Sequence, residues 1–181
     1  TISSLGLADA AGQEETMEAA LVVACDGARS VMAELAGLGR REERQSQTAI
    51  VTTLLAERRH EGTAFQRFLP TGPFALMPGP GDAGGYEMSL VWTLPNDTAQ
   101  QLIAADNASF EAACLEAFGS RLGYLALAGN RLAWPLQPAW RRWITAPGLV
   151  LAGDAAHSIH PLAGQGYNLA LADAAVLADL V

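Results

Sequence analysis

Residues 149–152, Leu-Val-Leu-Ala, run straight into Gly153-Asp154-Ala155-Ala156-His157. A second glycine-rich stretch, Gly164-Gln165-Gly166-Tyr167-Asn168, then opens an Ala/Leu-rich segment that reaches Val181. No other stretch constrains the fold as strongly: an apolar strand, an acidic residue at its end, a loop with little side-chain bulk, then a helix. A short apolar run bounded by turn residues suits a strand buried on both faces of a parallel sheet. Glycines at 164 and 166 let a ligand approach the backbone closely. A helix starting near Gly166 turns its free N–H groups toward the same place, which favours a phosphate or another electron-rich group. Asp154, at the strand end, can accept a hydrogen bond from a ribose or diol hydroxyl. In the dinucleotide fingerprint the glycines follow the strand at once and the acid comes about 20 residues later. The order here differs, so the stretch reads as a second cofactor-contacting element of an α/β domain rather than the first.

Half of the 181 residues are hydrophobic, enough for a sizeable core in one ordinary domain or two small ones. The formal net charge is −8, and all 11 basic residues are arginine. They are scattered, and the densest group, Arg40, Arg41 and Arg44, is interrupted by Glu42 and Glu43. That balance argues against a nucleic-acid surface. Cys25 and Cys114 sit in apolar runs outside any C-x-x-C pair, and both are expected to be reduced core thiols. No run of about 18 apolar residues suggests a spanning helix, and no basic segment precedes an apolar core at the start. The first residue is not Met, and Thr1-Ile2-Ser3 reads like the interior of a strand, so a piece of a longer chain is expected.

Residues 17–25 form an apolar run ending at Asp26-Gly27, read as one strand buried on both faces. Residues 30–38 read as a short helix closed by Gly37 and Gly39. From Thr48 the pattern changes: residues 48–57, 64–68, 74–78 and 86–94 read as strands, with turns at Pro70-Thr71-Gly72-Pro73 and Pro78-Gly79-Pro80-Gly81. Residues 98–119 read as two helices, capped by Thr98 and Asn107 and stopped by Gly119. Residues 122–127 and 130–135 read as strands, and residues 138–146 as a connection. The fold class that follows is mixed α/β: an α/β domain (1–39 and 145–181) interrupted by an antiparallel sheet (40–144).

A second cluster is Val22-Val23-Ala24-Cys25-Asp26-Gly27-Ala28-Arg29-Ser30. A strand running into Asp-Gly puts a carboxylate at the carboxyl edge of a sheet, where ligands bind in open α/β folds. G-D-A-A-H, then Pro161, then G-x-G-x-N resembles the motif of flavin-dependent aromatic hydroxylases, and Asp26, Gly27 and Ser30 resemble that family's D-G motif. Where the family often carries an Arg three residues after that Ser, this chain has Ala33. His60, residues 64–68, 72–78 and 89–92, Arg121 to Gly123 and Trp134 to Leu136 are similar to the ubiquinone-biosynthesis members, above all the 2-octaprenyl-6-methoxyphenol hydroxylases. The family's G-x-G-x-x-G, which holds the ADP pyrophosphate, is absent from this sequence.

The resemblance implies a three-layer domain that binds FAD and NAD(P)H. Asp154, Pro161, Gly164, Gln165, Gly166, Tyr167 and Asn168 would contact the flavin, together with Asp26, Gly27 and Ser30. It also implies a substrate chamber on the inserted sheet near Leu76, Met77, Pro78 and Trp92. The reaction implied is hydroxylation of a polyprenyl phenol with NAD(P)H and O2, carried by the flavin, so no catalytic side chain is expected. A complex of ubiquinone-biosynthesis proteins is an implied partner. The implied location is the cytoplasm, or the periphery of the inner membrane. A piece without the G-x-G-x-x-G is expected to bind FAD weakly or not at all. Other classes stay open: a hydroxylase of another phenol, a related reductase or halogenase, or a cofactor-free binding module. His157 and His160 beside Asp154 lack the further converging ligands a metal needs, and His157 is expected to orient the loop by hydrogen bonds. No G-x-S-x-G elbow supports a hydrolase.

Overall fold

The computed structural model describes residues 3–42, 46–79, 84–160 and 164–181. The first elements are β1 (Ser3–Ala8), β2 (Glu14–Ala19), β3 (Val22–Ala24), α1 (Val31–Leu35) and β4 (Arg40–Glu42). Then come β5 (Gln47–Ala56), β6 (Phe65–Leu69), β7 (Gly72–Pro78), β8 (Glu87–Pro95), α2 (Asn96–Ala104), α3 (Asn107–Phe118), β9 (Leu125–Leu127) and β10 (Leu132–Leu136). The last are β11 (Ala139–Arg141), β12 (Thr145–Ala146), β13 (Leu149–Leu151), β14 (His157–Ser158) and α4 (Gln165–Leu180). The chain divides into two compact units, Thr1–Arg44 with Gln137–Val181, and Gln45–Leu136. The junctions expected at residues 40 and 144 fall inside the first unit, because β4 pairs with β11 there rather than joining the large sheet.

In the first unit β3 runs parallel to β13, with Val22 beside Leu149 and Ala24 beside Leu151. Val22 N–H donates to Gly148 at one end (2.9 Å) and Ala152 N–H to Ala24 at the other (3.0 Å). Ala24, Ala33, Leu149, Leu151, Ala155 and Ala156 form the core. Four of those six are alanines, so α1 and the turn after β13 can approach the strands closely. The expected single strand over 17–25 is broken at Ala20 and Leu21: β2 pairs antiparallel with β1 as a two-stranded hairpin, and Met17 is exposed. Only residues 22–24 belong to the parallel pair. None of the described residues of α4 is buried.

The second unit is an antiparallel sheet in the order β10-β5-β8-β7-β6, with β9 also paired to β5. Side chains alternate across it with period two. Ile50, Leu54, Phe74, Leu76, Met88, Leu90 and Trp92 face α2 and α3, where Ala99, Phe110, Cys114 and Phe118 meet them. Phe74 sits edge-on to Trp92 at 5.0 Å between ring centroids and stacks with Phe118 at 5.9 Å. The β6–β7 hairpin turns at Gly72, whose φ of +137° and whose closeness to the Thr93 carbonyl exclude a side chain there.

The cap residues differ from those expected. α2 begins at Asn96 without a side-chain cap, because Pro95 ends β8 and sets the turn, leaving Thr98 inside the helix. Asp106, not Asn107, caps α3 by accepting from Ser109 N–H at 2.7 Å. Gly119 closes α3 at φ +87°, as its position after Phe118 suggested. Part of the expected 78–81 turn lies outside the described residues.

Phe74→Ala is expected to destabilise this unit by about 3–5 kcal/mol through the cavity it opens. Phe68→Ala, at a side chain 70% exposed, should stay within about 0.5 kcal/mol. Denaturant unfolding of the two variants measures the difference.

Candidate functional site

β3 and β13 run parallel, so their carboxyl ends lie side by side. Each runs directly into one of the two acidic loops picked out in the sequence, Asp26-Gly27 and Gly153-Asp154. A cavity of about 440 Å3 opens between them, lined by Val23, Cys25, Gly27, Gly153, Asp154 and Tyr167, with Ala152, Gly166, Ala170, Ala174 and Leu177 completing its walls. Gly153 needs φ +60° to turn out of the strand, and a Cβ there would meet Ala170 on α4 at 3.4 Å. Asp154 follows on a single 3-10 turn, exposed, with no hydrogen-bond partner among the described residues. Its carboxylate is therefore free to accept from a ligand. α4 begins at Gln165 behind Gly164 (φ +65°), with no side-chain cap from Gly164.

The other expected contacts fall elsewhere. Asp26 accepts from Met32 N–H at 3.1 Å, and Ser30 caps α1 by accepting from Ala33 N–H at 3.0 Å. These two residues build the start of α1 and do not line the cavity. Burial pushes the Asp26 carboxyl up, but hydrogen bonds from the Ser30 side chain and the Met32 amide outweigh it and hold it below its usual value of 3.8. Gln165 accepts from Asn168 Nδ2 at 3.3 Å, and both are exposed outside the cavity. Pro161 lies outside the described residues. On the sheet, Leu76 and Trp92 are buried in the helix-covered core, while Met77, one residue on, is 40% exposed on the opposite face. The alternation of side chains along a strand puts on opposite faces residues that the resemblance had grouped.

Two residues not singled out hold the Asp154 turn in place. Asp173 of α4 accepts from Gly153 N–H at its Oδ2 (2.7 Å), and His157 Nε2 lies 2.9 Å from that same oxygen and 3.2 Å from Oδ1. A carboxylate can only accept, so His157 donates to it, which gives His157 the orienting part expected of it. Arg141, buried in β11, donates to the Ala155 carbonyl at 2.9 Å and to the Leu38 carbonyl. The sequence signals are slight: one of two acids inside an Ala/Leu helix and an arginine flanked by Trp140 and Arg142. Cys25 also departs from expectation. It is exposed and lines the cavity, whereas Cys114 is buried. Burial above all, then the nearby Glu111 charge, pushes the Cys114 thiol up to about 12.

A larger cleft, about 710 Å3, lies in the second unit at Ile103, Asn107 and residues 127–131. Its charged group, Arg131, already donates to the Leu102 carbonyl and lies over the Phe110 ring. It gathers none of the motif residues.

A family model described as "FAD binding domain" matches residues 4–180. The chain is 45% identical to the ubiquinone hydroxylase UbiL of Rhodospirillum rubrum over 166 residues, covering 91% of this chain and 38% of that protein. It is 36% identical to the 3-demethoxyubiquinol 3-hydroxylase of Escherichia coli, covering 92% of this chain and 41% of that one. The chain thus spans about two fifths of the length of these curated relatives. Among solved structures, a flavoprotein/dehydrogenase of Cytophaga hutchinsonii superposes with a TM-score of 0.72 at 16% identity, covering 95% of this chain and 43% of that one. At that identity the match speaks for the fold.

Two outcomes are expected. Asp173→Ala strands the Gly153 amide and His157 and should destabilise the chain by about 1–3 kcal/mol, against little change for Asp179→Ala, both read by denaturant unfolding. Asp26, whose folded pKa is depressed, contributes stability above its unfolded value of 3.8 that is lost as pH falls through the folded value. The stability gap between the parent chain and Asp26→Asn should therefore close on acidification below that pH.

Proposed function

The chain belongs to the FAD-binding domain family, and from that premise we propose that it is part of an FAD-dependent monooxygenase that hydroxylates the aromatic ring of a polyprenyl phenol in ubiquinone biosynthesis. NAD(P)H and O2 are its co-substrates. The observation that carries the reading is the cavity at the paired ends of β3 and β13, where both motifs meet. Its glycines fit a ligand. Gly27 sits at φ +84°, which already favours glycine, but a Cβ on Gly166 would meet no protein atom within 4 Å, so neither packing nor backbone conformation explains its lack of a side chain. Room for a cofactor against the backbone does.

When bound, FAD supplies the redox chemistry and the activation of O2. The residues of this chain hold and orient it. Asp154 accepts a hydrogen bond from a ribityl or ribose hydroxyl. Gly27 and Gly166 admit the cofactor to the backbone, and Tyr167 covers one side. The first N–H groups of α4, between Gly164 and Asn168, favour the electron-rich edge of the ring system. Asp26 and Ser30 act one step back by fixing the turn that bears Gly27. Pro161 keeps its assigned place beside the ring on the resemblance alone.

The substrate side of the proposal is the uncovered face of the large sheet. Met77, Leu55, Leu132 and Trp134 lie on it, each between 40% and 61% exposed, an apolar surface suited to a prenylated ring. Leu76 and Trp92 support that face from behind. No helix among the described residues is long and apolar enough to cross a membrane. A polyprenyl substrate is a lipid, so the reading places the enzyme in the cytoplasm, working peripherally at the inner membrane with other proteins of the pathway. The R. rubrum and E. coli relatives, named as ubiquinone and demethoxyubiquinol hydroxylases, support the substrate class.

The full-length protein should purify yellow, with flavin absorbance, and a colourless, flavin-free preparation would overturn the reading. In it, Asp154→Ala should weaken FAD retention by about tenfold, as loss of a charge-assisted hydrogen bond does. Equal retention by equilibrium dialysis would reject the role given to Asp154. FAD should also slow alkylation of Cys25.

A further inference from the structure

Three of the chain's 11 Lys and Arg residues lie on one strand pair, and a fourth directly follows it. β4 and β11 set Arg40 opposite Arg141 and Arg41 opposite Trp140, with Arg142 next along. Like charges facing each other across strands repel, and the chain as a whole carries a net charge of −8, so this concentration needs a cause.

Two of the four have partners. Arg141 donates to the Ala155 and Leu38 carbonyls. Arg40 donates to the Ala28 carbonyl at 2.8 Å and lies 3.5 Å from Glu42. Arg41 and Arg142 are exposed and meet no carboxylate among the described residues. With Arg40 they converge on a pocket of about 320 Å3, closed by Trp143 and by residues 37–39 behind α1. The Arg142 guanidinium lies 5.6 Å from the centre of the Trp143 ring. That contact positions the fork without using any of its N–H donors.

The ligand follows from the walls. Guanidinium forks bind phosphate oxygens in pairs, with a geometry that a point charge lacks. Trp143 is 65% exposed and offers a flat apolar face, on which a heteroaromatic base stacks. A concave site of this size suits a small molecule rather than a flat membrane or protein surface. We infer that this pocket binds a nucleotide, Arg41 and Arg142 taking its phosphate and Trp143 its base. It shares no lining residue with the cavity at Asp154 and does not depend on the flavin reading.

Calorimetric titration of the full-length protein, saturated with FAD, tests it with adenosine 5′-monophosphate and inorganic phosphate as probes. Both should bind, the nucleotide about tenfold more tightly. Arg41→Gln/Arg142→Gln should weaken both probes by about tenfold or more. Trp143→Ala should weaken the nucleotide by a larger factor than inorganic phosphate, because it removes the stacking face as well as the contact that positions Arg142. FAD retention should be unchanged in every variant, so a failure of the flavin reading would show separately as a colourless protein that still binds the probes. If the neutral double variant does not fold by thermal melting, Arg142→Lys, which keeps the charge but not the fork, should still lower nucleotide affinity several-fold. Absence of binding, or binding that survives the Arg substitutions, overturns the inference. So does binding only to phosphatidylcholine vesicles containing phosphatidylglycerol, which would make the patch a membrane contact.

Discussion

The parallel backbone pairing of β3 with β13 is the constraint on which the candidate site depends. Parallel strands present their carboxyl ends on the same edge. Here that geometry brings together Asp26-Gly27 and Gly153-Asp154, two loops separated by the whole of the second unit in sequence. Without the ladder each loop would be an ordinary turn. With it, they enclose a cavity in which two glycines, Gly27 and Gly153, make the turns and a third, Gly166, faces open space.

The turn that carries Asp154 is fixed from two directions, and this leaves its carboxylate unengaged. Asp173 takes the Gly153 amide and the His157 ring, and Arg141 takes the Ala155 carbonyl. These partners satisfy the polar groups on either side of Asp154, and buried groups left unsatisfied would be costly. Asp26 is spent differently. Its hydrogen bonds to α1 hold it below the ordinary carboxylate value, so its charge stabilises the protein rather than facing the cavity. Two acids at equivalent strand ends thus do different work, and the difference lies in their hydrogen-bond partners.

In the second unit one physical rule, the alternation of side chains along a strand, accounts for most of the arrangement. It puts Leu76 and Trp92 against α2 and α3 and leaves Met77 on the uncovered face. The apolar density of residues 48–57 and 86–94 announces strands from sequence alone, and the structure has β5 and β8 there. The spacing of Phe110, Cys114 and Phe118 likewise announces α3. The helix starts were less legible, because Asn107 and Thr98 have the right chemistry for caps but the backbone enters the helices earlier, at Asp106 and after Pro95.

The sequence by itself determined the kind of chain this is: an α/β unit with two acidic, glycine-bearing strand ends, interrupted by an antiparallel sheet. Those features are local, set by apolar periodicity and by residues that permit or end a turn, and local preferences are written in consecutive residues. Only the tertiary structure decided which residues meet. It broke the apolar run 17–25 into an exposed hairpin strand and a three-residue parallel strand, and it moved Cys25 out of the core into a cavity wall. It also recruited Asp173 and Arg141 to hold the turn, and left α4 without a buried residue. These outcomes depend on pairings between distant segments, Val22 with Leu149 and Arg40 with Arg141, which nothing in the residues of either segment alone specifies.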